Sequence, residues 1–110
     1  MKIIDAVEKL GLEVLALPTP EREINGGYVG DLLSWVMGRA EADNVWITIM
    51  TNINVLAVAS LSDVSAVVIA ENAEIDPEII KKAWEQGINL LRSKNPSYET
   101  ALAFGQLLGE

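Results

Sequence analysis

The sequence predicts a single α/β domain with a mainly parallel sheet of about four or five strands, covered by helices on both faces. Three observations lead to this prediction. Short apolar strand patterns alternate with helical patterns along the whole chain. Two strand patterns, Val45–Met50 and Ala66–Ala70, are apolar almost throughout, which is typical of parallel strands covered on both faces. No linker, repeat or low-complexity run divides residues 1–110, so we expect one unit.

The first predicted elements are a short helix, a strand and an extended loop. The helix spans Ile3–Leu10, and Gly11 is placed to end it. Residues 12–16 alternate towards a strand. The prolines within residues 18–20 then favour extended backbone, because a residue that precedes proline is pushed out of the helical region.

The stretch from Asn25 to Asp31 combines backbone freedom with polar side chains. Its glycines, Gly26, Gly27 and Gly30, can adopt positive φ without the penalty that a Cβ brings. We interpret the stretch as a strand end, a tight turn and a helix start, with Asp31 as the N-cap. The glycines could also let backbone N–H groups surround an anion. The need for a turn explains them as well, and it is the interpretation that we favour.

The alternation of strands and helices continues to the C-terminus. Ile53–Leu61 follows the strand Val45–Met50 and fits either period. We predict a helix there, because a parallel strand requires a crossover connection. The remaining predicted elements are a strand at Ala66–Ala70, a helix from Asp76 and Pro77 to Gly87, a strand over Ile88–Leu91 and a helix opened by Asn95 and Pro96.

The composition excludes several function classes. The net charge is −8 and the chain has only 8 Lys and Arg residues, which argues against nucleic-acid binding. Cysteine and histidine are both absent, so disulfides, thiolate metal sites and the commonest general base are excluded. Carboxylates such as Glu21 and Glu23, or Glu41 and Asp43, are expected to be solvated, and no metal site is expected. No uncharged apolar run reaches the roughly 18 residues that cross a bilayer, and we expect a cytoplasmic protein without membrane contact.

Several of these motifs resemble the DRTGG domain family. The name motif is matched by Arg22 and by Asn25 with Gly26 and Gly27. The resemblance also includes Gly27–Leu33, Val45–Thr48 and Thr51–Asn54 with the helix that follows, so it extends over essentially residues 1–110.

The resemblance implies a fold like the N-terminal domain of HPr kinase/phosphorylase, which is similar to that of MurF. It also implies relatives that are accessory domains in phosphotransacetylases and in regulated inorganic pyrophosphatases, where the module takes part in regulation and dimer contact. HPr kinase keeps its catalysis in a separate P-loop domain. Because this chain lacks Gly-x-x-x-x-Gly-Lys-Ser/Thr, a kinase label would be misplaced.

Two polar residues follow the central strand at the place where open α/β sheets bind small molecules. Thr51 and Asn52 leave the carboxyl end of that strand, and Thr48 can point the same way. A helix cap made by Thr51 or Asn52 is the alternative that we favour, and the two roles do not exclude each other. The hypothesised ligand residues, for an adenine nucleotide, are Asn25, Gly26, Gly27, Thr48, Thr51 and Asn52.

The predicted helix over Ile53–Leu61 is apolar almost all round, which points to a partner surface in so small a domain. Its core stripe is predicted to include Leu56 and Leu61. The hypothesised interface residues are Ile53, Asn54, Val55, Val58 and Ala59. We therefore expect a stand-alone, non-catalytic regulatory or sensing module that forms a homodimer and acts on a partner protein. The alternative is a small-ligand binding domain. An enzyme is the least supported class, since no nucleophile–base pair can be named.

Overall fold

The computed structural model describes residues 1–109, which form alternating helices and strands. Within that range a single sheet has the strand order β1-β5-β4-β3-β2. In chain order the elements are α1 (Ile3–Leu10), β1 (Glu13–Ala16), β2 (Gly26–Val29), α2 (Leu33–Arg39), β3 (Asn44–Thr48), α3 (Asn54–Ser62), β4 (Ala66–Ile69), α4 (Pro77–Gln86), β5 (Leu90–Arg92) and α5 (Ser97–Leu108).

The sheet is mainly parallel, as predicted. Strands β2, β3, β4 and β5 pair in parallel, and β1 joins β5 in antiparallel orientation at one edge. The connections from β2 to β3, from β3 to β4 and from β4 to β5 each lead to the adjacent strand, always in the same direction across the sheet. Because such crossovers are right-handed, α2, α3 and α4 share one face of the sheet. The other face is covered by α1 and α5, so helices cover both faces.

Alternate side chains of the central strands build two separate cores. Trp46 and Val67 point towards α2, α3 and α4, and both are fully buried. Val45 and Val68 point to the opposite face, where they pack with α1 and α5. The near-continuous apolarity of β3 and β4 is explained by this double cover, because neither face of these strands meets water.

Helix α4 has the termini that the sequence predicts. The Asp76 carboxylate accepts a hydrogen bond from Glu78 N at 2.8 Å, and Pro77 occupies the first turn. Gly87 ends the helix in the left-handed region at φ 72°. In the same way, Gly11 ends α1 at φ 64°. These termini were predictable because capping depends on residues close in sequence.

The prediction of a tight turn within residues 25–31 is wrong. Gly26–Val29 is a complete edge strand, with Gly27 opposite Val45 and Val29 opposite Ile47. The prediction failed because two glycines favour a turn locally, whereas pairing with β3 fixes an extended backbone. The predicted strand at Ile88–Leu91 also begins later, at Leu90.

Residues 17–25 form the long connection between the two edge strands. This segment crosses the amino ends of the parallel strands, where Asn89 binds the backbone of Thr19. Arg22 reaches the turns that precede β3 and β4.

None of the helices in the described part of the chain is long and apolar enough to cross a membrane.

Candidate functional site

The carboxyl ends of β2 and β3 are joined through one carboxylate. Asp31 Oδ1 accepts hydrogen bonds from Thr48 Oγ1 at 2.7 Å and from Ile49 N at 2.9 Å. The Thr48 hydroxyl in turn accepts from Met50 N at 3.1 Å. The prediction that Asp31 caps α2 is therefore wrong, since Leu32 holds the N-cap position and makes no side-chain cap bond. Asp31 fixes the geometry of this edge instead.

Replacing Asp31 by alanine is expected to lower the free energy of unfolding by about 1 to 2 kcal/mol, because the Thr48 hydroxyl and Ile49 N lose their charged acceptor. Asp31→Asn keeps an acceptor oxygen and should retain most of the stability. Urea denaturation measures both variants against Glu8→Ala, which removes an exposed carboxylate on α1. Equal stability of Asp31→Ala and the control would contradict the role of this carboxylate.

Asn52 binds the start of the next helix from the position before its N-cap, Ile53, which is close to the capping role that was the favoured alternative for this residue. Its Oδ1 accepts a hydrogen bond from Asn54 N at 2.9 Å, at the start of α3. The Asn52 side chain is exposed and Thr51 is half-buried. Both residues follow the carboxyl end of β3, as predicted. One lone pair of Asn52 Oδ1 is used by the hydrogen bond from Asn54 N.

The six hypothesised ligand residues do not form one site. Asn25 and Gly26 lie at the amino end of β2, where Asn25 Oδ1 accepts from Asn44 Nδ2 at 3.1 Å. Thr48 lies at the opposite end of β3. At about 3.3 Å per residue, the four steps from Asn44 to Thr48 span roughly 13 Å. The sequence placed these residues together because it treated the two glycines as a turn, and the strand they form separates them.

Glycine is required at positions 26 and 27 for two different structural reasons. Gly26 has φ 155°, in a region that residues with a Cβ rarely adopt. Gly27 has ordinary backbone, but a Cβ there would lie 3.3 Å from Val45 Cγ2. The structural interpretation of these glycines therefore holds, although a strand and not a turn requires them.

Arg22 connects two turns at the amino edge of the sheet. Its guanidinium donates to Asp43 Oδ1 at 3.0 Å and to Asp63 Oδ1 at 2.8 Å. Burial lowers the pKa of Arg22, but its hydrogen bonds to the two carboxylates outweigh that effect and raise the pKa. Both aspartates adopt left-handed backbone, at φ 67° for Asp43 and 54° for Asp63. The motif arginine of the sequence resemblance is thus a structural clamp here.

A small polar cavity of about 130 Å³ lies beside this clamp. Arg22, Asp63, Ser65 and Asn89 contribute to its lining. Asn89 is 1% exposed and its side chain makes three hydrogen bonds, two to Thr19 and one to Ser65 O at 2.9 Å. These polar groups are already paired with the protein, so the cavity is part of the framework. The signal for Asn89 was present in the sequence as one amide within the apolar run 88–91.

Three of the five hypothesised interface residues are buried within the chain itself. Val55, Val58 and Ala59 are at most 5% exposed and pack in the core between α3 and the sheet. Ile53 and Asn54 are exposed, so they remain the two interface candidates on α3. The face of α3 could not be chosen from sequence because nearly every side of the helix is apolar, so packing against α2 and the sheet decides its rotation.

Four exposed large apolar side chains lie at or just after the carboxyl ends of β2 and β3. Val29, Leu32, Ile49 and Ile53 are between 43% and 58% exposed. We call these four residues the apolar rim. Asp31 links two of them, since it precedes Leu32 and accepts a hydrogen bond from Ile49 N. Exposed apolar groups gathered in this way are typical of interaction surfaces.

An apolar groove opens beside the same strand and shares Val29 with the apolar rim. It lies between β2 and α5, with a volume of about 120 Å³. Gly27, Val29, Ala101, Gly105 and Leu108 contribute to its walls. The small residues leave the groove unfilled.

No cluster of three or more His, Cys, Asp or Glu that could hold a metal occurs among residues 1–109.

The comparisons with known proteins match the fold. No family model and no curated protein matches the chain. A solved structure does: the CBS and DRTGG domains of the regulatory region of Clostridium perfringens pyrophosphatase, complexed with its activator diadenosine tetraphosphate. The TM-score is 0.73 at 13% identity, and the match covers 97% of this chain and 46% of that chain. This chain thus spans less than half of that structure, and its fold agrees with the DRTGG-like fold that the sequence resemblance implies.

Proposed function

We propose that this chain, which shares its fold with part of a pyrophosphatase regulatory region, is a non-catalytic regulatory module that self-associates and binds a partner protein. The apolar rim is the observation that carries the proposal. Leu32 is 58% exposed and Ile53 is 43% exposed, and burying these side chains against a partner would remove apolar surface from water, which favours association. Rigid elements position this surface, because Asp31 fixes both strand ends beneath it.

The polar groups support the same function. Asp31 binds Thr48 and Ile49, and Arg22 is held between Asp43 and Asp63. Side chains that satisfy the framework in this way are poorly placed to act as an acid, a base or a nucleophile, which must reach a substrate. The chain would thus act through the shape and apolarity of its surface.

Binding to a partner is tested by affinity capture from native lysate, followed by identification and purification of the captured protein. We expect the module to change the activity of that protein when the two are mixed. The double variant Leu32→Glu/Ile53→Glu should abolish both capture and effect. Leu61→Glu is the matched control, because Leu61 is 72% exposed but lies at the far end of α3. Equal loss in the control, or an unchanged double variant, would contradict the assignment of the rim.

Self-association is tested by sedimentation velocity over a concentration series. We expect a species of twice the chain mass whose population rises with concentration. A strict monomer at every concentration would remove this part of the proposal, while leaving the rim as a surface for a different protein.

A second candidate function is adenine-nucleotide binding. It is favoured by one observation, that the structurally similar regulatory region was solved with diadenosine tetraphosphate as its activator. In this chain the nucleotide would bind at the carboxyl edge, beside Thr51 and Asn52. Two carboxylates oppose a phosphate there: Asp31 binds the end of β3, and Glu71 Oε2 accepts from Ser97 N at the start of α5 at 2.8 Å.

Thermal unfolding with diadenosine tetraphosphate and with single adenine nucleotides separates the two candidates. A ligand at a hundred times its Kd stabilises the native state by about 2.7 kcal/mol. A shift that is lost in Asn52→Ala would support nucleotide binding at this edge. The absence of any shift across the panel would remove the second candidate and leave the first intact.

A further inference from the structure

The outer edge of β2 has backbone groups that no strand of the described chain pairs with. Gly30 N donates to Ile47 O at 3.1 Å, so Gly30 and the residues that alternate with it face β3. By the same alternation, Gly27 and Val29 present their N–H and C=O groups to the open edge. Both residues are exposed. Edge strands with such free groups are templates for pairing with another chain.

The two edges of the sheet are treated differently. The β1 edge carries Glu13, which is held by Arg92 at 2.8 Å, and its register shifts between Val14 and Ala16. Hydrogen bonding to Arg92 lowers the pKa of Glu13, so this charge persists on the edge. Charges and bulges of this kind prevent strand addition. Residues 26–30 contain no charged side chain and no proline. One edge of this sheet is therefore protected against pairing and the other is not.

The groove beside β2 matches the side chain that β2 itself exposes. Gly27 and Val29 lie on the same sheet face, the one covered by α5. Val29 is 51% exposed. Gly27 has no side chain, and with Gly105 of α5 it leaves an apolar volume of about 120 Å³. A strand that placed a valine beside Gly27 would fill this space.

We propose that two copies of this chain pair through antiparallel β2 strands, with Gly27 of each copy opposite Val29 of the other. This inference rests on the proposed self-association and specifies its geometry. A two-fold axis at Tyr28 brings both outward-facing residues of each strand into hydrogen-bonded register, so the interface is isologous. Val29 of each copy then enters the groove of the other, and the two sheets become one continuous sheet.

Charge favours a second copy as the occupant of this edge. The chain carries a net charge of −8, so most surfaces of two copies repel each other. Residues 26–30 are neutral apart from their backbone dipoles, which makes this edge one where strands can meet without like charges directly opposite. The apolar rim lies at the strand ends, and Leu32 and Ile53 remain available there for the partner protein.

The experiment combines sedimentation velocity with amide hydrogen exchange on the full chain. We expect Val29→Glu to raise the dimer dissociation constant by about tenfold or more, because it places a charge in the apolar groove. Leu61→Glu should leave that constant unchanged. In the wild type, the amides of Gly27 and Val29 should exchange slowly at concentrations that favour the dimer and rapidly on dilution. Circular dichroism confirms that each variant is folded.

The outcomes separate this inference from the proposed function. A monomeric wild type would remove both the self-association and the paired strands. A dimer that is insensitive to Val29→Glu, with rapidly exchanging amides at Gly27 and Val29, would overturn the strand pairing alone. A dimer that dissociates with Ile53→Glu but not with Val29→Glu would also overturn it, and would move the interface to the start of α3.

Discussion

Asn89→Ala is expected to lower the free energy of unfolding by about 3 kcal/mol, because it removes three hydrogen bonds, one of them to the buried carbonyl of Ser65. The Asn89 side chain accepts from Thr19 N at 3.0 Å and donates to Thr19 O and Ser65 O, both at 2.9 Å. It is 1% exposed. The Ser65 carbonyl then lacks its amide donor, and the segment 17–25 loses one of its attachments to the amino edge of the sheet, while Arg22 keeps another.

Urea denaturation measures this effect, with Asn54→Ala as the matched control. Asn54 is an exposed amide at the start of α3, and surface substitutions of this kind usually change stability by about 0.5 kcal/mol or less. A loss of less than about 1 kcal/mol for Asn89→Ala would show that the amide network does not hold the loop. Hydrogen exchange at Thr19 N adds a local measurement, since this amide should become unprotected in the variant.

Trp46→Ala is expected to lower the free energy of unfolding by about 3 to 5 kcal/mol, which approaches the whole stability of a small domain. Trp46 is 0% exposed at the centre of β3. Its Nε1–H also donates to Gly30 O at 2.9 Å, so the indole joins the core to the end of β2. Removing it creates a cavity and leaves a carbonyl with one bond fewer.

Two further tryptophan variants separate these contributions in the same urea measurement. Trp46→Phe keeps most of the apolar volume and loses the hydrogen bond, so its loss should be about 1 to 2 kcal/mol. Trp84→Ala truncates a tryptophan that is 52% exposed on α4, and its effect should be well below that of Trp46→Ala. Similar losses for Trp46→Ala and Trp84→Ala would contradict the assignment of Trp46 to the core.

Elements with local signals were predicted well. The strand at β3 was recognisable because it is β-branched and aromatic throughout, and β4 because it is wholly apolar. Asp76, Pro77 and Gly87 each signalled their positions on α4 through chemistry that acts within a few residues. The resemblance to the DRTGG family supplied the expected fold, with which the structural comparison agrees.

Residues with long-range partners were not predicted. Arg22 binds Asp43 and Asp63, which lie 21 and 41 residues further along the chain. Asp31 resembled a helix cap by its position, but its partners are Thr48 and Ile49. The hypothesised ligand residues were placed in one site for the same reason. Gly26 and Gly27 take their conformation from pairing with β3, which is distant in sequence.

By itself, the sequence determined the α/β class, the central strands, the ends of α4 and the absence of cysteine and histidine chemistry, because each follows from composition or from neighbours in the chain. Only the tertiary structure decided that residues 26–29 are an edge strand, that Val55 and Val58 face inward, and that Val29 and Ile53 face outward. Strand register and helix rotation depend on contacts between distant segments, and an apolar segment carries no local signal that distinguishes its buried side from its exposed side.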